Sequence, residues 1–381
     1  MPDGNTLGKG TVERIGLTQG KITHKYDGGK FELEIPIPDH AVAIDLVQKA
    51  VVDPKHGVLT TLQDIVGVGH RVVHGGEAYS ESVIIDEKVL KAIEENIELA
   101  PLHNPANLTG IRELMNALPG VPQVAVFDTA FHQTIQPSAY LYGIPYELYE
   151  KYRIRKYGFH GTSHRYVSAE ALRMLKRSPE NTNVISAHLG NGASITAIAQ
   201  GKSIDTSMGF TPLEGLLMGT RSGDLDPAII FFLLERGYSP EELNSMLNKK
   251  SGLLGISGVS NDMRDLNTAI EQGNQRAEMA MEVFAHRVRR YIGAYMADLV
   301  KVDALIFTGG VGERDIDMRE RICRRLENLG IVMDYEKNQT NRFDAGIISH
   351  DYSPVTIMVV PTNEELQIAK DSYELIFGGS I

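Results

Sequence analysis

The sequence predicts an α/β protein made of two related domains. The first observation is a length of 381 residues, which at about 100–200 residues per domain favours two. The second is that short apolar runs alternate with stretches of helical period. The third is that each half repeats one order, hairpin strands first and then helices alternating with buried strands. Two such domains facing one another put a site in the cleft between them.

The opening MPDGNTLGKG is polar and glycine-rich and has neither period. Strand-like stretches at 11–17, 21–26 and 31–37 are separated by Gly and Asp, and a helix is predicted over 41–52. Residues 65–74 (IVGVGHRVVH) read as a buried strand running into a functional loop. Segments 86–99 and 107–118 have helical spacing, and 123–127 (QVAVF) is a buried strand ending at Asp128.

The second half starts near Phe131. Strands at 183–188 and 193–199 flank Gly190-Asn191-Gly192, and Asn-Gly is a strong hairpin signal. A third strand comes next at 202–206. Helices are predicted at 227–235, 240–248 and 275–299. In the last of these Met281, Phe284, Val288, Ile292, Tyr295 and Leu299 recur at three- and four-residue spacing, a core-facing stripe. Buried strands at 304–308 and 355–360 and a helix at 364–376 close the chain.

Composition excludes several classes. Hydrophobic residues make up 42% and charged residues 23%, the balance of a soluble globular chain and not of a disordered or fibrous one. Lys plus Arg is 38 and Asp plus Glu is 49, a net charge of −11. An acidic surface argues against nucleic acid or an anionic membrane as partner, so an anionic substrate must be gripped by a few placed cations. The single cysteine, Cys323, permits no intrachain disulfide and no cysteine zinc cage. It lies in a basic helical stretch and reads as a core filler. With no long apolar run and no leader of charged then apolar residues, the chain is expected to be cytoplasmic.

Polar chemistry sits at the C-terminal ends of the apolar strands, the edge where open α/β sheets bind ligands. Seven of the twelve histidines fall between positions 70 and 188, all in such segments. His160 and His164 have the four-residue spacing of two zinc ligands, but the metalloprotease pattern needs Glu after the first His and Gly161 stands there. Any one of these histidines also reads as a plain loop cap. Asn191-Gly192 makes a turn, and successive glycines expose N–H groups that form an anion nest.

Gly309 to Glu313 (GGVGE) is glycine-rich enough for a base or phosphate to approach the backbone, although neither G-x-G-x-x-G nor a Walker A loop is complete. Asp128 and Glu364 read either as helix-start acids or as hard oxygen ligands for Mg²⁺. Arg71 and Arg221 read as surface ion pairs or as anion clamps. Two arginines, two acids, an amide nest and a histidine cluster together describe a phosphoryl-transfer site.

These segments resemble the acetate kinase family, of the acetate and sugar kinase, chaperone and actin superfamily. GHRVVHGG, APLHNP, FDTAFHQT, YGFHGTSH, HLGNGAS, TSMGFTPLEGLLMGTRSGDLDP, FTGGVGE and PTNEE stand in the family's order over nearly the whole chain. The resemblance implies two duplicated ribonuclease-H-like, actin-like ATPase domains with the active site in the interdomain cleft, one formed by 1–129 plus 366–381 and the other by 130–365. It implies reversible transfer of the ATP γ-phosphoryl to acetate, giving acetyl phosphate and ADP with Mg²⁺ (or Mn²⁺ as its substitute), and a homodimer that binds neither nucleic acid nor membrane. A propionate or other short-chain acyl kinase is the alternative within the class. A catalytically impaired nucleotide-binding truncation product is the alternative outside it.

Carried over by motif, Arg71, Asp128, His160 and Arg221 are the implied catalytic residues. Arg71, Val73, Leu102, His103, Phe159 and Pro212 are implied for acetate. His188, Gly190, Asn191, Gly192, Asp262, Met263, Arg264, Gly309, Gly310, Val311 and Gly312 are implied for ATP, and Asp128 and Glu364 for the metal. One departure stands out. The family begins with a hydrophobic strand, a serine-rich turn and a lysine, its first phosphate loop, whereas GTVERIGL here matches the family's next segment. The first strand of the N-terminal domain is therefore expected to be missing, leaving neighbours with unpaired backbone groups in a buried layer.

Overall fold

The computed structural model describes residues 4–101, 103–341 and 343–379, and the chain divides into two compact units, 1–130 with 365–381 and 131–364.

The first unit opens with an antiparallel meander of β1 (Gly8–Glu13), β2 (Gly20–Tyr26) and β3 (Gly29–Ile35). Asp27-Gly28 is the two-residue turn between the last two, as that dipeptide favours. β1 starts and stops earlier than the apolar pattern of 11–17 indicates, because Arg14 and Gly16 take left-handed backbone angles that end the strand. Helix His40–Val51 comes next, its first turn capped by Asp39 accepting from Val42 N–H at 2.9 Å.

A second three-stranded sheet has the order β4 (Val68–Val72), β6 (Gln123–Phe127), β5 (Val83–Ile84), with β4 and β6 parallel. Helices Glu87–Glu95 and Asn104–Ala117 cover it and bury Ile93 and Ile111 against Val72, Ala125 and Phe127. The first helix ends before 99 because the Asn96 side chain turns back to the Ala92 carbonyl at 2.7 Å. The second begins before 107 because Pro105 suits a first helical turn. The strands of this unit thus form two sheets. β1 is exposed at every residue but Val12 and forms one edge of its sheet.

The second unit is built on a six-stranded sheet. β7 (Asn183–Leu189), β8 (Ala193–Ala199) and β9 (Lys202–Thr206) are antiparallel neighbours. β10 (Ala304–Thr308) runs parallel to β7 on one side and to β12 (Thr356–Val359) on the other, and β11 (Gly346–Ile347) closes the edge. All five residues of β10 are buried, as expected of a parallel central strand. Helix Gln275–Leu299 buries the stripe Met281, Phe284, Val288, Ile292, Tyr295 and Leu299 that its spacing predicted. Helix Gly161–Leu175 packs on the sheet through Val167 and Ala171. Because β7, β10 and β12 are parallel, the chain leaves all three at one edge of the sheet. Among the described residues no helix is long and apolar enough to cross a membrane.

Candidate active site

In the first unit, parallel pairing of β4 with β6 sets Arg71 opposite Val126, two residues before Asp128. Arg71 donates from Nε to Asp128 Oδ1 at 2.9 Å and from Nη2 to Oδ2 at 2.7 Å, a bidentate fork. The carboxylate side chain is 2% exposed and the arginine 45%, so the pair buries the acid and leaves guanidinium surface accessible.

Val73 and His74 leave β4 in a loop held by two asparagines. Asn107 Oδ1 accepts from Val73 N–H at 3.1 Å and Asn104 Oδ1 from His74 N–H at 3.2 Å. Asn104 also donates to the His74 and Ile93 carbonyls, each at 3.1 Å. A Cβ at Gly75 would stand 2.7 Å from the Phe127 ring, so this close approach requires glycine. Burial pushes the His74 imidazole down to about 3, which keeps it neutral near pH 7. His103 is exposed at the start of helix Asn104–Ala117, and Leu102 lies outside the described residues. Asn104 and Asn107 are not among the residues the sequence motifs single out. Their three-residue spacing in the first turns of a helix, on one face, was the available signal.

In the second unit the candidate residues converge on the turn joining β7 to β8. A Cβ on Gly192 would lie 3.2 Å from Arg221 Nη2 and 3.6 Å from His160 Nε2, so three candidate residues meet there. His160 takes φ 57° just before helix Gly161–Leu175, and its ring stacks on His188 with centroids 4.4 Å apart. Ser163 Oγ lies 2.8 Å from both His188 Nδ1 and Thr362 Oγ1, tying the end of β7 to the segment after β12. His160 and His164 do not converge on a metal position. Both bond the hydroxyl of Ser194, at 2.9 and 2.7 Å.

Arg221 is held differently from Arg71. Its Nη1 donates to the Pro212 carbonyl at 2.7 Å, and among the described residues no carboxylate lies within ion-pair distance of it. Burial pushes its pKa down and no charge partner offsets the effect. A cation so placed is unfavourable until an anion joins it. Nearby acids are turned elsewhere. Asp224 accepts from Gly215 N–H and from the Tyr291 hydroxyl, each at 2.8 Å. Glu214 accepts from the Tyr142 hydroxyl, whose oxygen accepts from Phe210 N–H at 2.8 Å. Burial raises the Glu214 carboxyl. These bonds fix the loop carrying Pro212 and Arg221. Phe159 is buried, and its carbonyl bonds His132 Nε2 at 2.9 Å.

A cavity of about 740 Å³ opens beside this cluster within the second unit, a size that suits a nucleotide. Gly190 and Asn191 line it from the β7–β8 turn, Asp262 to Arg264 from a helix start, and Gly310 and Val311 from the turn after β10. The Arg264 guanidinium holds the Asp262 carboxyl at about 2. Asn267, Ile316 and Phe343, not singled out from sequence, also face it.

The three glycines after β10 have distinct tasks. A Cβ on Gly309 would lie 2.7 Å from the Leu189 carbonyl oxygen and one on Gly312 3.3 Å from Phe307, whereas Gly310 faces open space. Gly309 and Gly312 are thus packing positions, and only Gly310 of the three lines the cavity. Glu313 accepts from Gly309 N–H and Thr362 N–H, each at 3.0 Å. Beneath it the fully buried Arg319 donates to the Gly312 and Glu313 carbonyls at 3.0 and 2.9 Å. Glu364 begins helix Glu364–Phe377. No group of three or more His, Cys, Asp or Glu among the described residues is arranged to hold a metal ion. Cys323 is buried, and burial raises its thiol, consistent with a core filler.

A family model described as "Acetokinase family" matches residues 2–370. Acetate kinase of Desulfitobacterium hafniense is 56% identical over 375 residues, covering 98% of this chain and 94% of that protein. The crystal structure of Porphyromonas gingivalis acetate kinase superposes with a TM-score of 0.94 at 47% identity, over 99% of this chain and 95% of that one. A propionate kinase structure from Francisella tularensis gives 0.91 at 46% identity, over 97% and 94%.

Proposed function

This chain belongs to the acetokinase family, and from that premise we propose that it transfers the γ-phosphoryl group of ATP to acetate, reversibly, giving acetyl phosphate and ADP. It is a phosphotransferase with a carboxyl acceptor. The observation that carries the reading is Arg221, a partly buried cation without a carboxylate partner among the described residues, beside His160 and the glycine turn, next to a nucleotide-sized cavity.

The chemistry asks little of the protein in proton transfer. Acetate is already ionised near pH 7, so a carboxylate oxygen attacks the γ-phosphorus without a general base. The bond to the β–γ bridging oxygen breaks in line, and ADP leaves. The difficulty is bringing two anions together and covering charge on the three equatorial oxygens. Arg221 and His160 supply donors for that charge. Arg71, oriented by Asp128, serves the same reaction by holding the carboxylate. Val73 in the first unit and Phe159 and Pro212 in the second carry apolar side chains, each of a chemistry that suits a small methyl group.

Asp128 fits a magnesium ion through water. Arg71 occupies one lone pair on each of its oxygens, and a carboxylate retains others. Mg²⁺ keeps several waters and takes one or two carboxylates plus substrate phosphates. Asp128 and Glu364 are the residues that would hold it, and Mn²⁺ shares its preference for oxygen donors. When bound, the ion neutralises charge on the β- and γ-phosphoryl oxygens.

A second copy of the chain is the proposed partner. Helix Ala228–Leu234 leaves Ile229, Phe231 and Phe232 45%, 66% and 51% exposed, apolar surface that a homodimer would cover. Sedimentation of wild type and Phe231→Asp tests it, with a dimer expected for the first and a weakened one for the second.

The similarity to a propionate kinase favours a second reading of the acceptor, since one methylene is worth only about 1–3 kcal/mol in such a pocket. ATP-dependent acyl phosphate formation, trapped as hydroxamate with acetate, propionate or butyrate, decides. Highest turnover on acetate supports the main reading, highest turnover on propionate replaces the acceptor, and nucleotide binding without acyl phosphate overturns both.

A further inference from the structure

The histidines behind the site are linked by serines in a line. Ser186 Oγ lies 2.9 Å from His164 Nδ1, His164 Nε2 lies 2.7 Å from Ser194 Oγ, and Ser194 Oγ lies 2.9 Å from His160 Nδ1. The two serines come from β7 and β8 and His164 from helix Gly161–Leu175. Ser186, His164 and Ser194 are all fully buried. Burial, with the rings of His132 and His188 beside it, holds His164 in its neutral form, with one N–H and one acceptor nitrogen.

Such a line has two possible polarities, and Ser186 selects between them. Its hydroxyl has a single hydrogen-bond partner among the described residues, His164 Nδ1. If Ser186 accepted from His164, its own proton would be buried without an acceptor, at about 1–3 kcal/mol. With Ser186 donating, His164 carries its proton on Nε2 and donates to Ser194. Ser194 then donates to His160 Nδ1, and every bond in the line is made. The proton of neutral His160 is left on Nε2, the nitrogen beside Gly192 and Arg221.

We propose that Ser186, His164 and Ser194 form a one-way hydrogen-bond line that fixes His160 as the tautomer protonated on Nε2, which makes Ser194 and His164 positioning residues for phosphoryl transfer. The catalytic part of this rests on the reading of His160 as a donor to the transferred group. The opposite tautomer would turn a lone pair toward the phosphoryl oxygens.

The test reads the tautomer directly, by imidazole ¹⁵N shifts and long-range couplings on the full-length protein without ligands. Wild type is expected to show His160 protonated on Nε2. Ser194→Ala and, one step further away, Ser186→Ala are expected to mix in the Nδ1 tautomer while circular dichroism stays unchanged. In the same variants kcat is expected to fall about 10–100-fold with little change in KM, and Ser194→Ala is expected to add nothing in a His160→Gln background. A wild-type spectrum with the proton on Nδ1, or one unmoved in both serine variants, overturns the proposal whatever the turnover. The expected spectra combined with full turnover in His160→Gln overturn the reading of His160 as donor and leave the hydrogen-bond line standing.

Discussion

Arg71 and Arg221 are the same side chain under opposite electrostatic conditions. Arg71 forks onto a buried aspartate and keeps much of its surface in water. Arg221 is partly buried against a backbone carbonyl, with no carboxylate within ion-pair distance among the described residues. A paired guanidinium near solvent is already satisfied and contributes mainly orientation. An unpaired one that is partly withdrawn from water attracts the next anion more strongly, because less solvent and no counter-ion competes. The difference implies unequal roles, with Arg221 aimed at charge that develops during the reaction and Arg71 at charge that is present throughout.

Substitution of the two arginines should break the comparison most visibly. Arg221→Gln is expected to lower kcat about 10²–10³-fold or more, measured as acyl phosphate formation. Arg71→Gln is expected to act more through KM for acetate, and equal kcat losses in both would erase the distinction. Asp128→Ala comes next in size. It frees Arg71 from its fork and removes a carboxylate proposed to hold magnesium, so it is expected to raise KM for acetate and to lower kcat, while leaving the surroundings of Arg221 untouched.

Smaller effects test the supports. Glu214→Leu leaves the Tyr142 hydroxyl without its acceptor and should destabilise the fold by about 1–3 kcal/mol in denaturant titrations, whereas Glu214→Gln, which can still accept, should be near neutral. In the first unit Asn104→Ala is expected to cost a similar amount through the His74 and Ile93 carbonyls.

A further effect in each unit is a pH dependence, carried by His74 in the first and His164 in the second. Both are held below the ordinary imidazole value by burial, so on acidification the unfolded chain takes up a proton near pH 6.5 while the folded one does not. Stability should therefore be full above about pH 6.5 and fall below it, by about 1.4 kcal/mol per pH unit for each histidine. Unfolding midpoints flat from pH 7.5 to 5 would contradict this.

The central strands were legible from sequence because an unbroken apolar run such as 123–127 or 304–308 has only a buried position open to it. The 25-residue helix was legible from its stripe. The glycine-rich helices Gly252–Ser257 and Gly309–Arg314 were not, since glycine opposes helix formation and only tertiary packing overrides it. The meeting of Arg221, His160 and Gly192 was legible as motifs but not as geometry. The unpaired state of Arg221 was hidden altogether, because Asp224 stands three residues away in sequence and only the fold turns it to Tyr291. The serines that bond His164 lie 22 and 30 residues from it, beyond any local pattern.

The central claim is that Arg221 is a partly buried cation kept without a counter-charge for an incoming anion. Its most direct test is the unfolding free energy of wild type and Arg221→Met, each titrated with acetyl phosphate. The account predicts a ligand-free variant at least as stable as wild type and a stabilisation by acetyl phosphate that is large in wild type and nearly absent in the variant. A ligand-free variant several kcal/mol less stable, still stabilised by acetyl phosphate as wild type is, would contradict it.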